Sequence, residues 1–140
     1  MDKLIKMLKR HEGAETHVYL CSENRHTIGV GRNVDPRGGL GISEDEIDYL
    51  LSNDVLRCIK ELSKEYRWFG DLDDIRQEAV IDAFFCLGAT RFRTFSKMIK
   101  AFEDADHKEA SMQLLDSRFA KQTGRRAIEL SAMIETGSYV

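Results

Sequence analysis

From Ser43 onward, apolar residues recur at helical spacing, and upstream only residues 17–32 carry strand-like alternation. There Val18 and Leu20, then Ile28 and Val30, alternate with other residue types around S-E-N-R, the pattern of a hairpin. Gly29 and Gly31 in its returning arm allow close approach of backbone. One short ribbon in an otherwise helical chain makes the fold class α+β, mostly α-helical. With 140 residues the chain is expected to form one domain with two small lobes.

Residues 2–11 read as a short amphipathic helix. Leu4, Ile5 and Leu8, with Met7 beside them, form an apolar stripe among Lys3, Lys6, Lys9 and Arg10, and Gly13 is a natural stop. Residues 33–42, NVDPRGGLGI, are rich in turn residues and read as a loop. Ser43 and Glu46 form a capping box. Helical spacing then runs to about residue 65, with a break expected at Asn53-Asp54. Residues 72–87 hold the most apolar stretch, from Ile75 to Leu87. Apolar residues on nearly all its sides predict a central, buried helix ended by Gly88. Helices are expected at about 95–103, 107–120 and 124–135. The outline is an N-terminal lobe over about 12–42, a helical connector over about 43–66, and a C-terminal helical lobe over about 67–140 packed with the first helix. A cleft between lobes is where a ligand site is expected.

Charge narrows the function classes. The net charge of −3 is concentrated in residues 41–78, where five Lys/Arg face eleven Asp/Glu. A nucleic-acid binder shows a concentrated basic face, and this chain does not. No apolar run approaches the roughly 18–20 residues of a membrane helix. MDKLIKMLKR also lacks the apolar stretch of a secretory signal, so a cytosolic product, or export by another route, is expected. Cys21, Cys58 and Cys86 are odd in number and widely spaced, which argues for free thiols in a reducing compartment.

The first 32 residues carry a dense polar set that includes His11, Glu12, His17, Cys21, Glu23, His26, Thr27 and Arg32. Three chemistries compete for it. His17, Cys21 and His26 are metal-ligand types, but their spacing matches no common zinc motif, and turn histidines with a stray thiol are the plainer reading. Cys21 with His17 or His26 has the makings of a thiolate–imidazolium pair, set against an inert half-buried thiol. Glu12 ends the first helix, where the partial negative charge of the helix terminus disfavours a carboxylate and suits an acid that donates its proton. The alternative there is a solvated glutamate.

The spacing separates these readings. Glu12, eight residues, Cys21, five residues and Thr27, followed by I-G-V-G, closely resembles the phage-type lysozymes, the muramidase endolysins of tailed bacteriophages, whose signature is Glu-x8-Asp/Cys-x5-Thr. L-D-D-I-R-Q-E-A-V-I-D-A-F-F-C-L-G (72–88) resembles that family's central core helix. S-R-F-A-K-Q-T-G-R-R-A (117–127) resembles its S-R-W-x-x-Q-T-x-x-R-A stretch, with Phe119 where Trp is usual. The three blocks come in the family's order, and the segment between hairpin and core helix is trimmed.

The resemblance implies a lysozyme-like fold and roles for particular residues. Glu12 would be the general acid, Cys21 the anionic partner that guides water or stabilises the oxocarbenium-like centre, and Thr27 the group that positions the attacking water. Arg126 would pair with Glu12 and orient it. Phe85, Cys86 and Gln113 would line the sugar cleft, set against core packing for the first two and a solvated helix face for the third. Arg32, where the family commonly has His, reads as a structural ion-pair residue. Cys21 is the departure, since an unperturbed thiol has a pKa near ~8.5 against ~3.9 for Asp; Arg25 and His26 are candidates to favour its thiolate.

The implied activity is hydrolysis of the β-1,4 bond between N-acetylmuramic acid and N-acetylglucosamine in bacterial peptidoglycan, leading to host cell lysis. No cofactor, metal, nucleic acid or stable membrane anchor is implied. The protein would be a monomer that waits in the host cytoplasm for a holin lesion before reaching the periplasmic wall. A second reading is an impaired lysozyme-like protein that binds peptidoglycan or a partner protein without cutting. A third, a helical DNA-binding module, rests only on helix content and Arg125-Arg126.

Overall fold

The computed structural model describes residues 1–140. The chain runs α1 (Asp2–Glu12), β1 (Glu15–Leu20), β2 (His26–Gly29), β3 (Arg32–Asn33), α2 (Glu44–Glu65), α3 (Arg67–Asp71), α4 (Asp74–Arg93), α5 (Ser96–Glu103), α6 (His107–Leu115), α7 (Arg118–Thr123) and α8 (Arg125–Thr136). The α+β class, mostly helical with one small antiparallel sheet, is as the sequence implies. Two compact units are distinguished, Met1–Leu50 and Leu51–Val140.

In the first unit, Gly13 stops α1 at a φ of +79°, and its N–H donates to Lys9 O at 2.9 Å. β1 and β2 pair antiparallel, with Tyr19 opposite Thr27 and Leu20 opposite His26. Between them Cys21 N donates to Arg25 O at 3.0 Å, and Asn24, at a φ of +63°, closes the turn. Gly29 and Gly31, both at a φ of +67°, turn the chain again. That second turn brings Arg32 and Asn33 back onto β2 as a third strand, with Asn33 drawn from the segment expected as a loop.

Residues 1–50 hold two buried side chains, Thr27 and Asp35, and both are polar. Asp35 is 2% exposed and gathers the loop around itself. Its carboxylate accepts from His26 N at 3.0 Å, from Arg37 N at 2.9 Å, and from Arg37 Nε and Nη2 at 2.9 and 3.0 Å. Arg37 Nη2 also donates to Asn24 O at 2.9 Å. Gly39 lies so close to Asp35 that a Cβ there would stand 2.5 Å from the Asp35 carbonyl oxygen.

The capping box forms as expected: Ser43 Oγ accepts from Glu46 N at 3.4 Å, and Ser43 N donates to Glu46 Oε1 at 3.1 Å. Such a cap stabilises a helix start by ~1 kcal/mol. Arg32 makes the ion pair read from the sequence, with Nη1 2.9 Å from Glu46 Oε1, and it also donates to Gly41 O at 3.0 Å. The expected break at Asn53-Asp54 does not occur; α2 is continuous, and Asp54 pairs one turn on with Arg57.

The second unit holds all the buried hydrophobic residues, the first being Leu62. Trp68 stacks on Phe102 with ring centroids 4.5 Å apart, and Phe92 meets Phe84 edge-on at 5.3 Å. Burying side chains of this size contributes about 1.5–3 kcal/mol each. α4 departs from the expected central helix in two ways. Phe85 and Cys86 are exposed, because the buried set Ala79, Val80, Ala83, Phe84 and Leu87 occupies one face only. Gly88, at a φ of +77°, interrupts the helix as expected, but helical structure resumes to Arg93. The helix expected over 107–120 is two, since Ser117 caps a new start through Ala120 N at 3.3 Å. Asp73 caps α4, and Arg76 carries its start to the end of α8 through bonds to Ile134 O at 2.6 Å and Glu135 O at 2.9 Å.

Acid tests the polar organisation of residues 1–50. Arg32, then the Ser43 N–H and hydroxyl, holds the Glu46 carboxyl down at about 2. A depressed carboxyl stabilises the fold fully above its unfolded value near ~4.3 and loses that contribution as pH falls through its folded value. In circular-dichroism melts, Glu46→Gln is expected to lower the Tm at pH 7. The gap to the parent should close as pH falls from about 4.3 toward 2.

Candidate active site

The hairpin carries the densest polar chemistry, and the local fold explains its placement. Glu12 is the last residue of α1. Its carboxylate lies against the β2–β3 turn, where a Cβ on Gly31 would stand 3.1 Å from Glu12 Oε2. The glycine therefore makes the room in which this carboxylate rests.

Cys21 directly follows β1, and Thr27 is the second residue of β2. The Cys21 side chain is half-buried and that of Thr27 is buried. The Arg25 N–H, then that of Glu23, lower the thiol's pKa below its ordinary value; partial burial and the Glu23 carboxylate oppose them. Arg25 thus acts on the thiol through its backbone. Thr27 Oγ1 donates to Arg25 O at 2.9 Å. A hydroxyl has one proton. With that proton on the Arg25 carbonyl, Oγ1 can meet any other group only as an acceptor. The hairpin thus offers a thiol of lowered pKa with a hydroxyl across the same turn, and α1 a carboxyl against the β2–β3 turn.

The other candidates have contacts of their own. His17 Nδ1 is 2.9 Å from the Thr16 hydroxyl, and no group of three or more His, Cys, Asp or Glu side chains is arranged to hold a metal ion. In the second unit, Arg126 Nε donates to Asp82 Oδ1 at 2.7 Å, and Nη2 donates to Asp82 O at 3.3 Å. The two residues lie 44 positions apart, so no local signal marks the pair. Gln113 Nε2 donates to Glu109 Oε1 at 2.7 Å and lines a groove of about 550 Å³ with Arg118 and Phe119. Exposed Phe85 borders a smaller pocket of about 270 Å³ beside Cys58.

Asp35 and Arg37 are what sequence reasoning missed. The signal was the polar pair Asn33-x-Asp35 inside a glycine-rich loop; Asn33 Oδ1 accepts from Asp35 N at 2.9 Å, a side-chain turn that Asn and Asp favour.

The phage lysozyme family model matches residues 9–133. Probable T4-type lysozyme 2 of Dictyostelium discoideum is 26% identical over 164 residues, covering 99% of this chain and 96% of the relative. Probable T4-type lysozyme 1 of the same organism is 26% identical over 158 residues, covering 94% and 93%. An endolysin of Acyrthosiphon pisum secondary endosymbiont phage 1 is 26% identical over 125 residues, covering 89% and 84%.

The two partly buried thiols differ in setting. Burial, first, and the Glu61 carboxylate raise the pKa of Cys58, whereas that of Cys21 is lowered. Iodoacetamide at pH 7 is expected to modify Cys21 well before Cys58, because the thiolate is the nucleophile. Peptide mapping by mass spectrometry reads the order directly.

Proposed function

This chain belongs to the phage lysozyme family, and from that premise we propose that it is an endolysin cleaving the β-1,4 bond between N-acetylmuramic acid and N-acetylglucosamine in bacterial peptidoglycan. The observation that carries the reading is the set Glu12, Cys21 and Thr27. It combines a carboxyl at a helix end seated against Gly31, a thiol of lowered pKa, and a hydroxyl whose proton is held by Arg25 O. Hydrolysis of a glycosidic bond needs a proton donor for the leaving oxygen, stabilisation of the developing positive charge, and a placed water.

In the proposed reaction Glu12 donates its proton to the glycosidic oxygen as the bond breaks. The Cys21 thiolate faces the oxocarbenium-like carbon and stabilises it. Water, donating a hydrogen bond to Thr27 Oγ1, attacks that carbon and releases a proton to the Cys21 thiolate, which passes it to solvent as the Glu12 carboxylate regains one. Arg126 is assigned the orienting part toward Glu12, and Phe85, Cys86 and Gln113 the binding of the glycan, on the strength of the family resemblance. The protein acts as a monomer without a cofactor. No helix is long and apolar enough to cross a membrane, and the proposed route to the wall is through a holin lesion in the host membrane, ending in lysis.

The reading in which Cys21 is a lesion is disfavoured by the hydrogen bonds that lower its pKa. Turbidity loss of permeabilised Gram-negative cells is the test. Glu12→Gln is expected to abolish clearing, and Cys21→Asp to change the rate only modestly. A large gain with Cys21→Asp would instead support the impaired reading, and equal clearing by wild type and Glu12→Gln would remove Glu12 from the mechanism.

The glycines give a second test. Gly29 and Gly31 share a φ of +67°, but only a Cβ at Gly31 meets Glu12. Both alanine variants carry the same backbone strain, of order 1 kcal/mol. Gly31→Ala is expected to lower kcat well below that of Gly29→Ala at similar Tm. Equal losses would show that only strain matters.

A further inference from the structure

Cys21 and Thr27 flank a short turn, and that turn is tied to one buried carboxylate. Arg25 sits at its centre: its carbonyl accepts from Cys21 N at 3.0 Å and from Thr27 Oγ1 at 2.9 Å, and its N–H is the largest influence lowering the thiol's pKa. The residues on either side of Arg25 are both restrained from the loop beyond β3. Asn24 O accepts from Arg37 Nη2 at 2.9 Å, and His26 N donates to Asp35 Oδ2 at 3.0 Å. Asp35 and Arg37 are joined by their own ion pair, 2.9 Å from Nε to Oδ1. Val34 N donates to His26 O at 2.9 Å, so His26 is held through both its N–H and its carbonyl.

We infer that Asp35 and Arg37 are positioning residues for the reaction, setting the Cys21 thiol and the Thr27 hydroxyl by fixing the peptide groups on both sides of Arg25. The role deepens the lysozyme reading above and rests on it. Neither residue touches the reacting atoms; both act through the turn. Asn24 has a positive φ, a conformation a free turn gives up readily, and Arg37 is the side chain that holds its carbonyl. The Asp35 side chain is 1% exposed and that of Arg37 57%, so the ion pair has a fixed buried anchor and a solvent-facing arm. The two positions therefore serve different tests. Asp35→Asn removes the anchor and risks the fold of the loop, whereas Arg37→Gln leaves Asp35 its bond from His26 N and releases Asn24.

The experiment follows Cys21 directly by iodoacetamide labelling across pH, with the Cys21 peptide quantified by mass spectrometry, alongside Tm and steady-state cleavage of peptidoglycan. Arg37→Gln is expected to keep its fold and to raise the labelling midpoint of Cys21 toward that of a free thiol. Labelling at pH 7 should slow by roughly threefold to tenfold, as hydrogen bonds to the thiolate are lost. On peptidoglycan, kcat is expected to fall by about tenfold with KM within about twofold, the pattern of reacting groups misplaced without loss of binding. Arg37→Lys, which can still reach Asp35 but not fork to Asn24, should recover part of the loss. An Arg37→Gln variant whose Cys21 midpoint and kcat both match the parent overturns the proposal, whether or not its Tm drops. If the parent itself fails to cleave peptidoglycan, the lysozyme reading falls, and the labelling profile alone then decides whether the turn is held from Arg37.

Discussion

A buried carboxylate organises the first fifty residues. Asp35 collects donors from the strand before it and the arginine after it, and with Thr27 it is one of two side chains in that unit to leave solvent. No hydrophobic side chain of the unit is buried. Its order therefore rests on directed bonds, which depend on angle and distance in a way apolar burial does not. A sheet of three short strands is marginal by itself. Arg37 on Asp35 ties the loop to the hairpin turn, and Arg32 on Glu46 ties the third strand to the start of α2. This is a demanding way to hold a small lobe, but it gives fixed geometry where a reaction needs it.

The second unit is built on the opposite principle. A cluster of aromatic and aliphatic side chains fills its interior, and the helices around it are defined by caps and glycines. Arg76 joins the first turn of α4 to the last turn of α8 through two backbone carbonyls. Gly137 lies so close to this guanidinium that a Cβ there would stand 2.9 Å from Nη1.

What was legible in the sequence followed from local rules. Gly13 ending α1, the Ser43–Glu46 box, the hairpin and the interruption at Gly88 are each decided by a few neighbouring residues, and each is found. The spacing of Glu12, Cys21 and Thr27 was equally local, and it identified the family. The errors came where a local signal had two outcomes. Asn53-Asp54 suggested a break, yet Asp54 found Arg57 within the helix. Ser117 lay inside an apolar rhythm that ran on to residue 120, yet it caps a new helix. The apolar surplus of residues 72–87 implied burial all round, but a helix can bury one face and leave Phe85 and Cys86 outside. Pairings across long stretches of chain, such as Arg126 with Asp82, have no local signature, and neither does the gathering of loop donors by Asp35.

The Arg76 bridge has a consequence for how the protein is made. The residues it joins are separated by 58 and 59 positions, and the later partner belongs to the last helix. A ribosome delivers α4 long before α8, so the early helices of this unit wait with their closing surface open. The second unit can lock only after translation has passed α8, and until then a chaperone or a protease has access to an unfinished bundle.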